Sequence, residues 1–289
     1  MRALSLSLLV VVLFFSCEKK QDITKQLTDS LNQTKGNFAL AFKDLQTGKE
    51  ILINEHRMFH AASTMKTPVM IEIFKQSQAG KFSIHDSVLI KTEFNSIVDS
   101  TFSLTPADDS DSTLYAVAGQ KRPIDELTYK MIIRSSNLAT NILINLVGAK
   151  NVTQSMRDFG ANDIQVLRGV EDGKAFRAGL NNKTSAYDLM VIFSAIASGK
   201  AVNQEASDDM IKILLDQEFN DIIPARLPED VKVAHKTGWI TGLNHDSGII
   251  MLPDGRRYVL VILSDSVEDE KAAKENMATA SKMIYDYLY

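Results

Sequence analysis

Residues 38–66 read FALAFKDLQTGKEILINEHRMFHAASTMK. Phe38–Phe42 and Ile51–Ile53 are short apolar segments on either side of Gln46-Thr47-Gly48-Lys49. Polar residues with a glycine between two apolar segments are typical of a turn between adjacent strands. This part of the chain therefore predicts a β-hairpin.

A helix is predicted directly after the hairpin. Thr67–Gln78 has helical periodicity, and Gly80 fits the C-cap position. Ser63-Thr64-Met65-Lys66 stands at the start, and three residues are about one helical turn, so Ser63 and Lys66 share a face. A lysine whose pKa is lowered by burial or by a neighbouring cation can remove the proton of a serine nucleophile. Taken alone, the pattern favours a surface helix whose start is capped by Ser63 or Thr64.

The remaining chain places strands at both ends and helices in the middle. The predicted elements are a first helix through Ile23, Leu27 and Leu31, helices Ile124–Val147 and Thr184–Ser198, strands Val231–Ala234, Gly248–Leu252 and Tyr258–Leu263, and a closing helix through Ala273, Met277, Ala280 and Ile284. Residues 95–122 predict a long surface loop, and loops of this length often have a function. This order predicts an α+β fold, with one antiparallel sheet built from both termini and a separate helical lobe.

Composition excludes several classes of protein. The 289 residues include 45% apolar and 24% charged side chains, fractions that are ordinary for a globular chain and exclude a disordered or fibrous one. The net charge of −4 argues against nucleic acid as a partner, which needs a basic face. Cys17 is the single cysteine, so a disulfide framework and a CxxC metal site are excluded.

The N-terminus predicts export and a lipid anchor. Met1-Arg2 is followed by the apolar run Ala3–Phe15, which is too short to span a bilayer and fits a signal peptide. Ser16-Cys17 ends this run and resembles a bacterial lipobox. We predict a signal peptide over residues 1–16 and, over 17–36, a lipidated N-terminus at Cys17 with the first helix. The mature protein is then expected to be a lipoprotein tethered to a membrane and facing the periplasm.

Two further motifs carry reactive side chains. Ser135-Ser136-Asn137, within the predicted helix Ile124–Val147, offers a hydroxyl and an amide. His235-Lys236-Thr237-Gly238, at the end of the strand Val231–Ala234, offers a cation, a hydroxyl and a glycine that lets a substrate approach the backbone. The simpler interpretations are a hydroxyl bonded within a helix and a polar strand end.

Ser-x-x-Lys, Ser-x-Asn and Lys-Thr-Gly, in this order, resemble the motifs of class A β-lactamases and related penicillin-binding enzymes. The resemblance extends to residues 227–230 before Lys-Thr-Gly and 247–250 after it. It implies a β-lactamase/transpeptidase-like fold with a five-stranded antiparallel sheet, flanking helices and an all-helical lobe. The catalytic domain is then 37–289, with a sheet lobe at 37–62 and 200–289 and a helical lobe at 63–199.

The resemblance also implies a role for each matching residue. Ser63 is the acylated nucleophile, Lys66 its base, and Ser135 passes a proton to the β-lactam nitrogen. The substrate-binding residues are Asn137 for the side-chain amide, Lys236 and Thr237 for the carboxylate, Gly238, and Trp239, whose N–H joins that of Ser63 in the oxyanion hole. The resemblance implies no metal and no organic cofactor.

The sequence departs from the family where deacylation is catalysed. The Glu-x-x-Leu-Asn motif is absent, and Arg168–Asp172 occupies its region. Val170 falls at the position of the deacylating glutamate, and Glu171 stands one residue late. Glu171 is the predicted base if the loop backbone differs, and a surface carboxylate paired with Arg168 or Lys174 otherwise.

Two other positions also differ. Ser136 replaces an aspartate that is mostly structural in the family. The arginine that anchors the substrate carboxylate is absent from its usual places, where Ile222 and Ser247 stand with Arg226 nearby.

His56 and His60 have a spacing that could suit a metal but lack nearby acidic or cysteine ligands. We therefore predict that both have a local structural role.

Three functions follow. The first is a serine β-lactamase of the class A type, a monomer that takes a small-molecule β-lactam. The second is a D-Ala-D-Ala peptidase or penicillin-binding relative with slow deacylation, which the loop departure favours. The third is a non-catalytic sensor of β-lactams or cell wall. The intact motif residues argue against it, namely Ser63, Lys66, Ser135 and Lys236.

Overall fold

The computed structural model describes residues 23–288, so the predicted signal peptide and Cys17 lie outside the described residues. The helices are 23–31 (α1), Lys66–Gln78 (α2), Ile124–Ile133 (α3), Asn137–Val147 (α4), Ala149–Asp158 (α5), Gly173–Arg177 (α6), Ala186–Ala197 (α7), Gln204–Leu215 (α8) and Glu270–Leu288 (α9). The strands are Asn37–Asp44 (β1), Glu50–Ile53 (β2), Phe59–His60 (β3), Ser87–Leu89 (β4), Glu93–Asn95 (β5), Thr101–Ser103 (β6), Lys121–Pro123 (β7), Lys183–Thr184 (β8), Lys232–Ile240 (β9), Leu243–Met251 (β10) and Arg257–Asp265 (β11). Short 3₁₀ turns are Ala62–Met65, Pro106–Asp108, Ser112–Val117 and Pro224–Arg226.

Five strands from both ends of the chain form the main sheet, in the order β2-β1-β11-β10-β9. Every neighbouring pair is antiparallel. The predicted hairpin is β1–β2, in which Leu40 pairs with Ile53. The predicted five-stranded antiparallel sheet is confirmed.

Both faces of the sheet are covered, which explains why its strands are almost continuously apolar. Leu40 and Phe42 belong to one core together with side chains of α1 and α9, such as Leu27 and Met277. Ala39 and Ala41, on the opposite face because strand side chains alternate, belong to the core shared with the middle helices. The predicted stripes of the first and last helices are buried.

The prediction of a single helix over Ile124–Val147 is wrong, because the helix is interrupted at Ser135 and forms α3 and α4 instead. Ser135 has φ 57°, a left-handed conformation that does not continue a helix. Ser136 then caps α4, since its side chain accepts a hydrogen bond from the N–H of Ala139. Ser135 is thus a linker residue between two helices and not a hydroxyl inside one.

Two other predicted elements are also corrected. The strand expected at Val231–Ala234 runs on as β9 to Ile240, so Lys-Thr-Gly lies within a strand and not at its end. Residues 95–122, expected to be an irregular loop, contain β6, the start of β7 and two 3₁₀ turns. The short strand β5 pairs with β6, and β4 with β7.

The boundaries of the two predicted lobes stay a prediction. Helix α7, at the end of the range assigned to the helical lobe, packs against β1, β10 and β11 of the sheet. Within residues 23–288, none of the helices combines the length and apolar character needed to cross a bilayer.

Candidate active site

A cleft of about 660 Å³ lies where the start of α2, the α3–α4 linker and β9 meet. Seven of the nine residues predicted for catalysis or substrate binding line it: Ser63, Ser135, Asn137, Glu171, Thr237, Gly238 and Trp239. The other two, Lys66 and Lys236, are fully buried. Residues that are separated by more than a hundred positions in sequence are therefore brought to one site.

Ser63 lies in the 3₁₀ turn Ala62–Met65, directly before α2. The preceding Ala62 has φ 44°, an unfavourable conformation for alanine that costs on the order of 1–2 kcal/mol. The N–H of Ala62 donates to Nδ1 of His60 at 3.0 Å, which helps to hold this turn. Backbone strain at the residue before Ser63 is typical of a serine that the fold positions for reaction.

Lys66 is buried and held by the α3–α4 linker. Its Nζ donates to the backbone oxygen of Ser135 at 2.6 Å, to Ser135 Oγ at 3.2 Å and to Asn137 Oδ1 at 2.9 Å. Burial lowers the pKa of Lys66 to about 7, although Asp109 and Glu171 oppose this shift. A large fraction of Lys66 is then neutral near neutral pH and able to accept a proton.

Ser135 joins the two buried lysines. Its Oγ lies 3.2 Å from Nζ of Lys66 and 3.1 Å from Nζ of Lys236. Burial, and then the charge of Lys66, lower the pKa of Lys236 well below its usual value, while Asp246 opposes this. Ser135 Oγ can therefore receive a proton from either lysine and pass it into the cleft.

Asp109 was missed as a site residue by the sequence analysis. Its carboxylate accepts hydrogen bonds from the N–H groups of Asn137 at 2.9 Å and Leu138 at 2.8 Å. A negative charge at the N-terminus of α4 stabilises the helix and fixes the linker that precedes it. The predicted loop 95–122 thus supplies a carboxylate next to Ser136, the residue that replaces the family's aspartate. The only feature of the sequence that could have indicated this role is the acidic stretch at residues 108–111.

Asn137 is already bonded at both ends of its amide. Its Oδ1 accepts from Lys66, and its Nδ2 donates to the backbone oxygen of Asp108 at 2.7 Å and to Glu171 Oε1 at 3.3 Å. A substrate amide that binds Asn137, as predicted, must therefore displace one of these contacts.

Glu171 points into the cleft because its backbone is left-handed, with φ 59°. This is the different loop backbone that a glutamate one position late requires. The alternative of a surface ion pair is not found, since Lys174 pairs with Asp99 and Arg168 donates to loop oxygens such as that of Leu180. Desolvation in the cleft, and then Asp108, raise the pKa of Glu171.

The residues on either side of Glu171 are fixed by hydrogen bonds. Asn141 of α4 accepts from the N–H of Val170 at 2.7 Å and donates to its oxygen at 2.9 Å. Asp172 is buried and accepts from the side chain of Ser96 and from the N–H of Ile97. Because both neighbours are anchored, the conformation of Glu171 is set by the fold.

The opposite wall of the cleft is β9. A Cβ added at Gly238 is 3.2 Å from the backbone nitrogens of Ser63 and Thr64, so a side chain there would press on the turn. Glycine allows this close approach of β9 to the turn without displacing it. Trp239 is 58% exposed, and its Nε1 donates to Glu270 at 2.6 Å.

The remaining candidates lie elsewhere or have local partners. His56 contacts Asp163 and stacks on Tyr187, and His60 holds the turn before Ser63. Within residues 23–288, no cluster of three or more potential metal ligands is found. Arg226 pairs with Glu275 of α9.

The pKa of Lys66 leads to a prediction. If neutral Lys66 is the acylation base, kcat/KM should fall about tenfold per pH unit below a midpoint near 7 and level off above it. Asp109→Asn should move the midpoint to lower pH, because Asp109 raises the pKa of Lys66. Stopped-flow acylation rates between pH 5 and about pH 9 would show this; a flat profile, or a midpoint unchanged in Asp109→Asn, would remove Lys66 from this role.

The cleft combines Ser63 with two buried lysines that both contact Ser135, an arrangement that fits a serine hydrolase. The chain belongs to the Beta-lactamase enzyme family, whose model matches residues 22–288. A relative named Beta-lactamase from Bacteroides uniformis is 24% identical, with 96% of this chain and 97% of the relative aligned.

Solved structures agree on the fold. A beta-lactamase from Sphaerobacter thermophilus superposes with a TM-score of 0.79 at 25% identity, covering 91% of this chain and 95% of the other. The structure of PBP-A superposes with a TM-score of 0.80 at 22% identity, covering 92% and 96%.

Proposed function

We propose that this protein is a serine β-lactamase of the class A type that opens the β-lactam amide through an acyl-enzyme on Ser63. In the first step Ser63 Oγ attacks the lactam carbonyl, its proton passes to Lys66, and the ring C–N bond breaks as Ser135 protonates the nitrogen. The N–H groups of Ser63 and Trp239 stabilise the oxyanion. In the second step water hydrolyses the ester.

The observation that carries the proposal is the position of Glu171. Acylation alone is common to β-lactamases and penicillin-binding enzymes, and rapid hydrolysis of the ester needs a base near the acyl carbonyl. Glu171 lines the same cleft as Ser63 and lies within 3.3 Å of Asn137. A carboxylate held there can activate water, which favours a β-lactamase over the peptidase and sensor hypotheses.

Turnover of a chromogenic cephalosporin tests the proposal. We expect continuous hydrolysis of many equivalents of substrate per enzyme, inhibited competitively by benzylpenicillin. A single equivalent of colour followed by no further reaction would instead support the penicillin-binding hypothesis, and no reaction at all would support the sensor.

We further propose that the protein acts as an exported lipoprotein at the periplasmic side of a membrane. The support is the sequence of residues 1–17, in which a short apolar run ends at Ser16-Cys17. Cys17→Ser is expected to move the protein from the membrane fraction to the soluble periplasmic fraction. Fractionation followed by immunoblotting measures this, with Ser16→Ala as the matched control. Membrane association that persists in Cys17→Ser would contradict the anchor.

A further inference from the structure

The charges that face the cleft are mostly negative. The two lysines of the motifs are fully buried behind its surface. The acidic side chains that line the cleft are Asp108, Asp109, Glu171 and Asp221. Lys274 is the single lysine or arginine among the lining residues in the described part of the chain. An anionic substrate group therefore meets one accessible cation in this cleft.

Lys274 of α9 is one of the residues that line the cleft. Its Nζ is 2.6 Å from Oδ2 of Asp221, and the two side chains are 31% and 54% exposed. Glu270, one turn earlier on α9, receives the hydrogen bond from the Trp239 indole. Residues four apart share a helix face, so Lys274 lies on the face of α9 that carries Glu270 and contacts Trp239.

The two positions where the resemblance would place a carboxylate-binding arginine hold Ile222 and Ser247. Ile222 is apolar and buried, and Ser247 is buried with its hydroxyl bonded to the backbone oxygen of Lys236. Arg226, the nearby alternative, pairs with Glu275 and is not among the residues that line the cleft. A carboxylate in the cleft therefore has Lys274 as its accessible cationic partner.

The ion pair between Lys274 and Asp221 does not prevent Lys274 from binding a substrate carboxylate. Exposed ion pairs contribute little to stability, so a substrate carboxylate can compete with Asp221 for the ammonium group. The charge of Lys274 matters more because four carboxylates line the same cleft and repel an anion.

We propose that Lys274 is a specificity-determining residue that binds the carboxylate of the substrate and gives the enzyme its preference for anionic β-lactams. This inference rests on the proposed function. It extends that function by assigning carboxylate recognition to a residue of α9, outside the three motifs.

Benzylpenicillin and its methyl ester form a matched pair of substrates that differ in this charge. Lys274→Met should lower kcat/KM for the acid about tenfold, mainly through KM, and leave the ester within about twofold. Lys274→Arg should keep the preference for the acid. Arg226→Met is the control, since it removes a similar ion pair to α9 at a residue outside the cleft lining.

A second variant tests the same contact in the opposite direction. Asp221→Asn removes the competing carboxylate, so the ratio of kcat/KM for acid over ester should rise about two- to threefold. An acid-to-ester ratio unchanged in Lys274→Met, or an equal loss on both substrates, would overturn the role of Lys274 even though the wild type hydrolyses benzylpenicillin. A wild type that hydrolyses neither substrate would instead contradict the proposed function.

Discussion

Ser63→Ala should abolish covalent labelling by penicillin and lower β-lactam hydrolysis by about 10⁴-fold or more. Ser63 lines the cleft one turn before Lys66, and it directly follows Ala62, whose backbone is strained. Labelling with a fluorescent penicillin, followed by gel electrophoresis, measures acylation directly.

The fold should survive this substitution, because Ser63 is only partly buried and alanine suits the turn. Thermal unfolding of the variant checks this. Ser198→Ala, at the exposed end of α7, is the matched control and should label like the wild type. Labelling of Ser63→Ala at the wild-type rate would show that another residue is the nucleophile.

Glu171→Gln should make the acyl-enzyme accumulate. Turnover should begin with a burst close to one equivalent and then slow by about 10²–10⁴-fold, because a general base typically contributes this much to a rate. The amide keeps the shape of the side chain and its contact with Asn137 but cannot take a proton from water. Mass spectrometry of the intact protein, seconds after exposure to benzylpenicillin, measures the acylated fraction.

The pH dependence of deacylation gives a second readout. The pKa of Glu171 is raised, so in the wild type deacylation should weaken as the pH falls through a value above the usual range of a glutamate. Glu205→Gln, an exposed glutamate of α8, is the control and should behave like the wild type. Acyl-enzyme that clears from Glu171→Gln as fast as from the wild type would exclude Glu171 from the mechanism.

The sheet could be predicted from the sequence because its signals are local. The apolar segments and the turn at Gly48 predicted β1–β2, and the apolar strands near the C-terminus predicted the rest of the sheet. The Ser-x-x-Lys motif also predicted the start of a helix, and α2 begins at Lys66, although Ser63 lies in the 3₁₀ turn directly before it.

The geometry of the site depends on conformations that residue types do not indicate. Ala62, Ser135 and Glu171 are three of six non-glycine residues with positive φ among those described. None is a residue for which that conformation is preferred, so the break between α3 and α4 and the direction of Glu171 could not be predicted. Tertiary contacts hold them: Ser110 donates to the backbone oxygen of Arg134 at 2.6 Å, beside Ser135.

The sequence also does not show which distant segments contact each other in the fold. Asp109 fixes the start of α4, and Lys274 reaches the cleft from the last helix, yet neither lies near a motif. Both are charged residues in stretches that also contain ordinary surface charges. Their roles depend on which segments the fold places side by side.

Acylation of Ser63 and hydrolysis of the resulting ester can be followed together. The experiment is a quenched-flow reaction with excess benzylpenicillin, analysed by mass spectrometry of both the protein and the product. The mechanism predicts a transient adduct on the peptide that contains Ser63, while product rises far beyond one equivalent of enzyme. An adduct on another peptide, or a stable adduct on Ser63 with product limited to one equivalent, would contradict it.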